Sequence, residues 1–363
     1  MRDDGGVALG RIYGLMEAVG NLKKQGREVM LVSSGAVGLG VQRLALSERP
    51  KQVAYKQACA AIGQGRLMAM YEQGFAQLGI VVSQVLLTED DFASRRRYLN
   101  LRATLGRLIE LGVVPIINEN DTVSTMELET PVDGVPSRPH VFGDNDKLSA
   151  LVMSKVDADL LVLLSDVDGL HTANPARNVG AVRLGTVARI TPEIERCAEG
   201  ASAGGRGGMK TKLEAARIAT TAGGVAVIAN GRTPGVLDRL FAGEDLGTVF
   251  LPQGHWTSKK RWIAFASTVG GTVRVNDGAR QALVERKASL LPAGVIQLEG
   301  TFQRGDVVSI ADKDGVEFAR GIVNYSSEDA AKVMGLHSDQ FEGRLSAKNR
   351  DALITRDNIV LLV

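Results

Sequence analysis

Cysteine is almost missing from this sequence. Cys59 and Cys197, alone in 363 residues, provide no disulfide framework. Histidine is as scarce: His140, His171, His255 and His337 are scattered without metal-ligand spacing, so no metal site is expected. No apolar run approaches the roughly 18 residues that a membrane-spanning helix needs. Nothing at the start of the sequence as written reads as a signal peptide, and a cytoplasmic protein is expected. An excess of one charge sign is also lacking. The 43 Lys+Arg and 41 Asp+Glu leave a net charge of +2, too little for a nucleic-acid footprint over the whole chain. What is present is 44% apolar residues, enough to bury a sizeable core and to exclude disorder. The length accommodates two domains.

Strand and helix signals alternate over the first 250 residues or so. Val7, Ile12, Leu15, Val19 and Leu22 recur at helical spacing until Gly26. Short apolar runs at 29–32, 80–82, 113–117, 160–164 and 225–228 read as strands. Helical stretches at about 55–77, 98–111 and 212–222 separate them. This alternation predicts an α/β fold: an open, mainly parallel sheet sandwiched by helices. From Gly270 the pattern changes to short alternating strands such as 272–275 and 307–310, which predict a small, mainly β domain. The expected division is 1–254, a polar linker at 255–269, and 270–363.

Polar residues gather where the strands end. Asn118-Glu119-Asn120-Asp121 follows the 113–117 strand, and Gly143-Asp144-Asn145-Asp146 precedes the next apolar element. Asn both donates and accepts hydrogen bonds, whereas ionised Asp only accepts. Two such clusters can clamp a small molecule carrying an ammonium group and a carboxylate. One cluster alone would be turn chemistry. Ser33-Ser34-Gly35-Ala36 and Ser165-Asp166 close two further strands. Three or four polar strand ends on one edge of a sheet match the place where open α/β sheets bind ligands. The run Arg95-Arg96-Arg97 reads instead as a solvated helix start.

Gly204-Gly205-Arg206-Gly207-Gly208-Met209-Lys210-Thr211-Lys212 is the phosphate-handling candidate. It is not a P-loop, because Met209 stands where a glycine must precede the lysine. Glycines nevertheless let backbone N–H groups approach phosphate oxygens, and the following helix presents its positive end. A flexible surface loop ahead of a helix is the equal alternative.

The motifs 32–36, 117–121, 143–146 and 207–212 together resemble those of glutamate 5-kinases, a branch of the amino-acid kinase family. The resemblance extends through Lys260-Arg261-Trp262 into a segment similar to the PUA domain appended to the bacterial members. It implies phosphoryl transfer from ATP to the side-chain carboxylate of L-glutamate, the first step of proline synthesis. By position, Ser34, Asp121 and Asn145 would hold glutamate, with Asn118 nearby. Ser165 and Asp166 would contact ATP, and Arg206, Gly207, Gly208, Met209, Lys210, Thr211 and Lys212 would surround its phosphates. Lys212 would neutralise charge on the transferring group, and Asp146 would orient that lysine. Mg²⁺ would bridge the nucleotide phosphates without an all-protein cage. The resemblance also implies a homo-oligomer, dimer or tetramer, and L-proline as a feedback inhibitor.

Two departures from the family pattern stand out. Family members begin with a strand ending in a Lys-x-Gly loop, whereas here Met1-Arg2-Asp3-Asp4 directly precede the first helix. A misplaced start site or a degenerate enzyme would each account for this. The chain beginning at Met1 is expected to be poorly soluble or nearly inactive. Residues 129–139, with three prolines and a glycine, look like an inserted loop near the glutamate site. The rival readings are a kinase of another small acid, such as acetylglutamate or aspartate, and an RNA-binding or regulatory protein acting through the PUA domain. Residues 255–363 hold 15 basic and 13 acidic side chains, which supports RNA binding only weakly.

Overall fold

The helical spacing of Ile12, Leu15, Val19 and Leu22 is realised as α1 (Leu9–Lys24), which buries Met16, Val19 and Leu22. Gly26, at φ +78°, follows the helix end, where a left-handed residue stops the i→i−4 ladder at no Cβ cost. The structure is a computed structural model that describes residues 8–48, 50, 52–123, 145–175, 177–198, 208–336 and 352–362. The start of the chain at 1–7 and the expected insertion at 129–139 lie outside the described residues. Contacts divide the chain into two units, Met1–His255 and Trp256–Val363.

In the first unit α1 is followed by β1 (Leu31–Val32), α2 (Ala36–Arg43), α3 (Val53–Ala76), β2 (Val82–Leu87), α4 (Glu89–Ala93), α5 (Arg95–Glu110) and β3 (Val114–Glu119). Then come α6 (Asn145–Val156), β4 (Leu160–Ser165), β5 (Thr186–Val187), α7 (Pro192–Cys197), α8 (Met209–Thr221), β6 (Val225–Asn230), α9 (Val236–Phe241) and β7 (Thr248–Phe250). Where one open sheet was expected, backbone hydrogen bonds among the described residues define two. The first has the order β1-β3-β2 and is parallel throughout. The second has the order β4-β6-β7-β5, with only β6 and β7 antiparallel. β1 is two residues long, so it adds little hydrogen bonding to its sheet.

Parallel pairing gathers the strand ends. Val32 pairs with Ile117 and Leu87 with Glu119 in the first sheet, while Ser165 pairs with Asn230 in the second. The cores differ in the helices that cover them. Met16, Val19, Leu67, Tyr71 and Phe75 pack on Val114 and Ile116, whereas Ala18 meets Val227, Ala229 and Leu237. α1 thus contributes to both clusters. α2 and α3 meet backbone to backbone, because a Cβ on Gly63 would overlap the Ala36 carbonyl and one on Gly40 the Cys59 carbonyl. That crossing seats the first turn of α2, and with it the polar end of β1.

The second unit carries α10 (Ser258–Arg261), a π-helical turn Trp262–Ala266, β8 (Val269–Val275), α11 (Asp277–Arg286), β9 (Val295–Gly300), β10 (Val307–Ala311), β11 (Glu317–Ile322), α12 (Ser327–Val333) and β12 (Ile359–Leu361). Its sheet runs β12-β11-β10-β8-β9, with β8 and β10 parallel and the other pairs antiparallel. Val273, Val308, Ile310 and Phe318 stand at its centre. The stretch 255–269, expected as a polar linker, holds folded structure. Thr257 caps α10 through Lys260 N–H, and Trp262, Ile263, Ala264 and Ala266 are buried. Arg320 donates to the Ala264 carbonyl at 2.8 Å. The basic residues that made the stretch look solvated stand just ahead of this apolar turn.

Candidate active site

The end of β1 is locked to β3 one residue beyond the strand, by Ser33 N–H donating to the Ile117 carbonyl at 2.8 Å. The buried Ser33 hydroxyl bonds the Tyr71 hydroxyl of α3 at 2.9 Å. Gly35, at φ +106°, turns the chain into α2, a conformation that excludes most side chains. At the end of β3, Asn118 is 3% exposed. Its Nδ2 donates to Gln64 Oε1 at 2.9 Å, and its Oδ1 accepts from Glu119 N–H at 2.9 Å. Asn145, the first residue of α6, donates from Nδ2 to Asn118 Oδ1 at 3.2 Å and to the Ser33 carbonyl at 3.0 Å. Ser33, Gln64, Asn118 and Asn145 therefore form one connected polar cluster.

One peptide further on, Asp146 faces the first turn of α8. Its Oδ2 accepts from Lys212 Nζ at 2.8 Å and from Thr211 Oγ1 at 3.1 Å. The side chains of Lys212 and Asp146 are 12% and 19% exposed, so the pair is held yet reachable. The Gly208 carbonyl lies 2.9 Å from the same Thr211 hydroxyl, so its one proton is shared between that carbonyl and Asp146 at the entry to α8. α6 and α8 both begin here. Helix N-termini carry unsatisfied N–H groups and partial positive charge, so this corner suits an anion. Lys147 and Glu214 add a second ion pair between the helices at 2.7 Å.

The structure brings Asn118, Asn145, Asp146, Thr211 and Lys212 together. Ser34 is exposed immediately beside Ser33, and Asp121 sits half-buried in the turn after β3. Ser165 and Asp166 bond one another at 3.1 Å where β4 ends, and no hydrogen bond joins them to the α6–α8 corner among the described residues. Gly208 and Met209 are half-buried at the start of α8, and Lys210 is exposed. Arg206 and Gly207 lie outside the described residues, as do Gly143 and Asp144. No group of three or more His, Cys, Asp or Glu that could hold a metal occurs among the described residues. The Arg95–Arg97 run is exposed at the start of α5.

Sequence reading missed Gln64, Tyr71 and the Lys147–Glu214 pair. Gln64 and Tyr71 lie seven residues apart on α3 among buried Ala60, Leu67 and Phe75, a helical stripe that marks them as inward-facing. Burial raises the Tyr71 pKa, and the Ser33 hydroxyl offsets this only in part. The folded chain thus holds the neutral phenol beyond its ordinary pKa of about 10. This contribution to stability is full below that value and is lost as pH climbs through the raised one. Tyr71→Phe is therefore expected to lose less melting temperature than the unaltered chain between about pH 9 and 11. Equal losses, measured by thermal melts, would refute the burial effect.

Parallel strands between helices, polar strand ends and two helix N-termini around an Asp–Lys pair define an α/β enzyme built to handle phosphate. The chain belongs to the amino acid kinase family, whose model matches residues 3–230, and within it to the glutamate 5-kinases; a PUA domain model matches 271–345. The glutamate 5-kinase of Syntrophotalea carbinolica is 47% identical over 358 residues, 98% of this chain and 93% of that protein. That of Moorella thermoacetica is 46% identical over 99% of this chain and 92% of its own length. Among solved structures, the isopentenyl phosphate kinase of T. acidophilum matches at 18% identity and a TM-score of 0.44, covering 68% of this chain and 92% of that one. A UMP kinase from Bacillus anthracis gives 15% and 0.42, covering 68% and 89%. At that distance neither bears on the substrate.

Proposed function

We propose that this chain transfers the γ-phosphoryl group of ATP to the side-chain carboxylate of L-glutamate, forming L-glutamyl 5-phosphate for proline synthesis in the cytoplasm. The observation that carries the reading is the adjacency of Asn145, tied into the amide cluster, and Asp146, which holds Lys212 at 2.8 Å. A carboxylate is already ionised at neutral pH and needs no general base. Its difficulty is repulsion from the triphosphate, so catalysis consists of positioning and charge compensation. Asn118, Asn145, Ser34 and Asp121 hold glutamate in this reading. Ser165, Asp166 and the stretch from Arg206 to Lys212 hold ATP. Lys212 meets the charge that develops on the transferring group, and Asp146 aims it. Mg²⁺ would come with the nucleotide phosphates and neutralise part of their charge.

The same reading includes a homo-oligomer and inhibition by L-proline. It gives the second unit a regulatory role rather than RNA binding, since residues 255–363 hold only two more basic than acidic side chains. ADP formation is expected only with both L-glutamate and Mg²⁺, and hydroxylamine should trap the acyl phosphate. Equal ADP release without glutamate would overturn the proposal, and faster turnover of aspartate or acetylglutamate would reassign the substrate. Asn145→Ala and Asp121→Ala should raise the glutamate KM at least about tenfold, the loss of one charged hydrogen bond. An unchanged KM in both would remove them from the glutamate site.

A further inference from the structure

The amide orientations in the polar cluster can be deduced without choice, because the chain of bonds starts from backbone groups. Glu119 N–H can only donate, so the Asn118 atom it meets at 2.9 Å is Oδ1. Asn118 therefore turns Nδ2 to Gln64, which must answer with Oε1. The Ser33 carbonyl can only accept, so the Asn145 atom facing it at 3.0 Å is Nδ2. That same nitrogen gives its second hydrogen to Asn118 Oδ1. Both Asn145 donor hydrogens are thereby used, and its Oδ1 is left as an acceptor. At the other end of the relay, Gln64 is 8% exposed, and its Nε2 is a buried donor with no hydrogen-bond partner among the described residues.

We propose that Gln64 is a positioning residue for substrate selection: through Asn118 it holds Asn145 so that Oδ1 receives the ammonium group of an α-amino acid. This rests on the functional reading above. Without the Gln64 oxygen, Asn118 Nδ2 has no acceptor in a buried setting, and the Asn118 amide is held through Oδ1 alone. The Glu119 N–H and the Ser33 carbonyl keep both amides from turning over, but Asn118 Oδ1, the second acceptor of Asn145 Nδ2, is then less firmly placed. Asn145 Oδ1 then meets the substrate less well aimed, which weakens its bond to an ammonium and makes no difference to an apolar carbon. The relay thus reads the amino group and leaves the reacting carboxylate to other residues.

The test compares L-glutamate with glutarate, the same diacid without the amino group, used as a competitive inhibitor of the full chain. In Gln64→Met the glutamate KM should rise about tenfold, the loss of about 1.4 kcal/mol. The glutarate inhibition constant should change less than about twofold, and kcat and the ATP KM should stay within about threefold. Gln64→Glu, which keeps an oxygen toward Asn118, should retain at least about half of the wild-type discrimination, and it decides the matter if Gln64→Met fails to fold. Equal weakening toward both diacids, no weakening toward either, or loss of discrimination in Gln64→Glu would overturn the proposal. Failure of the unaltered chain to phosphorylate glutamate would instead strike the functional reading beneath it.

Discussion

Lys212→Ala is expected to lower turnover by about 10²–10³, while the glutamate KM stays within a few-fold of its starting value. The expectation follows from where the charge acts. Lys212 approaches Asp146 at 2.8 Å in the corner where α6 and α8 begin, one residue away from the amide cluster proposed to hold the acceptor. Under the proposed function its positive charge matters most when charge spreads over the phosphoryl oxygens, so its loss would fall on the transition state. The fall corresponds to roughly 2.7–4 kcal/mol at 1.36 kcal/mol per decade. Removing the lysine also leaves the Asp146 carboxylate facing the triphosphate with one fewer cation, which adds to the loss. Steady-state kinetics with both substrates varied would check it, beside a thermal melt showing that the variant is folded. Full turnover in Lys212→Ala would remove the residue from the reaction.

Gly63→Ala is expected to destabilise the first unit by about 3 kcal/mol or more, the upper range for forcing a methyl group into a packed core. Its Cβ would overlap the Ala36 carbonyl and approach Gly40 N at 2.6 Å, and these are backbone atoms that cannot rotate away. The only relief is for α2 and α3 to separate. A domain of this size should lose roughly 6–12 °C in melting temperature. Because α2 starts just after Ser33 and Ser34, the survivors should also bind glutamate more weakly. Ala at Gly65, where nothing lies within 4 Å of a Cβ, is the matched control. Equal melting temperatures for the two variants would mean that the crossing has room to spare.

The parts of the site that were legible in the sequence are those made by strand ends. The apolar run 113–117 ends abruptly in an amide, and that break in polarity marks Asn118 directly. Asn145, Asp146 and Lys212 were legible because helix starts concentrate short polar and basic side chains in one turn. Helix faces hid the rest. Gln64 sits in an alanine- and glycine-rich helix, where a glutamine reads as a solvent-facing residue unless its seven-residue relation to Tyr71 is noticed. The Gly40–Gly63 crossing was invisible for another reason: glycine in a helix signals weakness locally, and only a second backbone alongside gives it a use. The division into two hydrogen-bonded sheets could not be read from apolar runs at all. Those runs show where strands form and say nothing about which edges pair.

Asn145 and Asp146 are consecutive residues in the first turn of α6, one turned to the amide cluster and the other to Lys212. Under the proposed function they are the anchors of two different substrates, joined by a single peptide plane. A ligand that fixes the rotation of that turn for one anchor fixes it for the other. Thermodynamic linkage then requires glutamate to tighten ATP by the same factor as ATP tightens glutamate. The two substrates should therefore behave as mutual allosteric effectors at a separation of one residue. Titrating ATP with and without saturating glutamate would measure the coupling, and identical affinities would show that the shared turn transmits nothing.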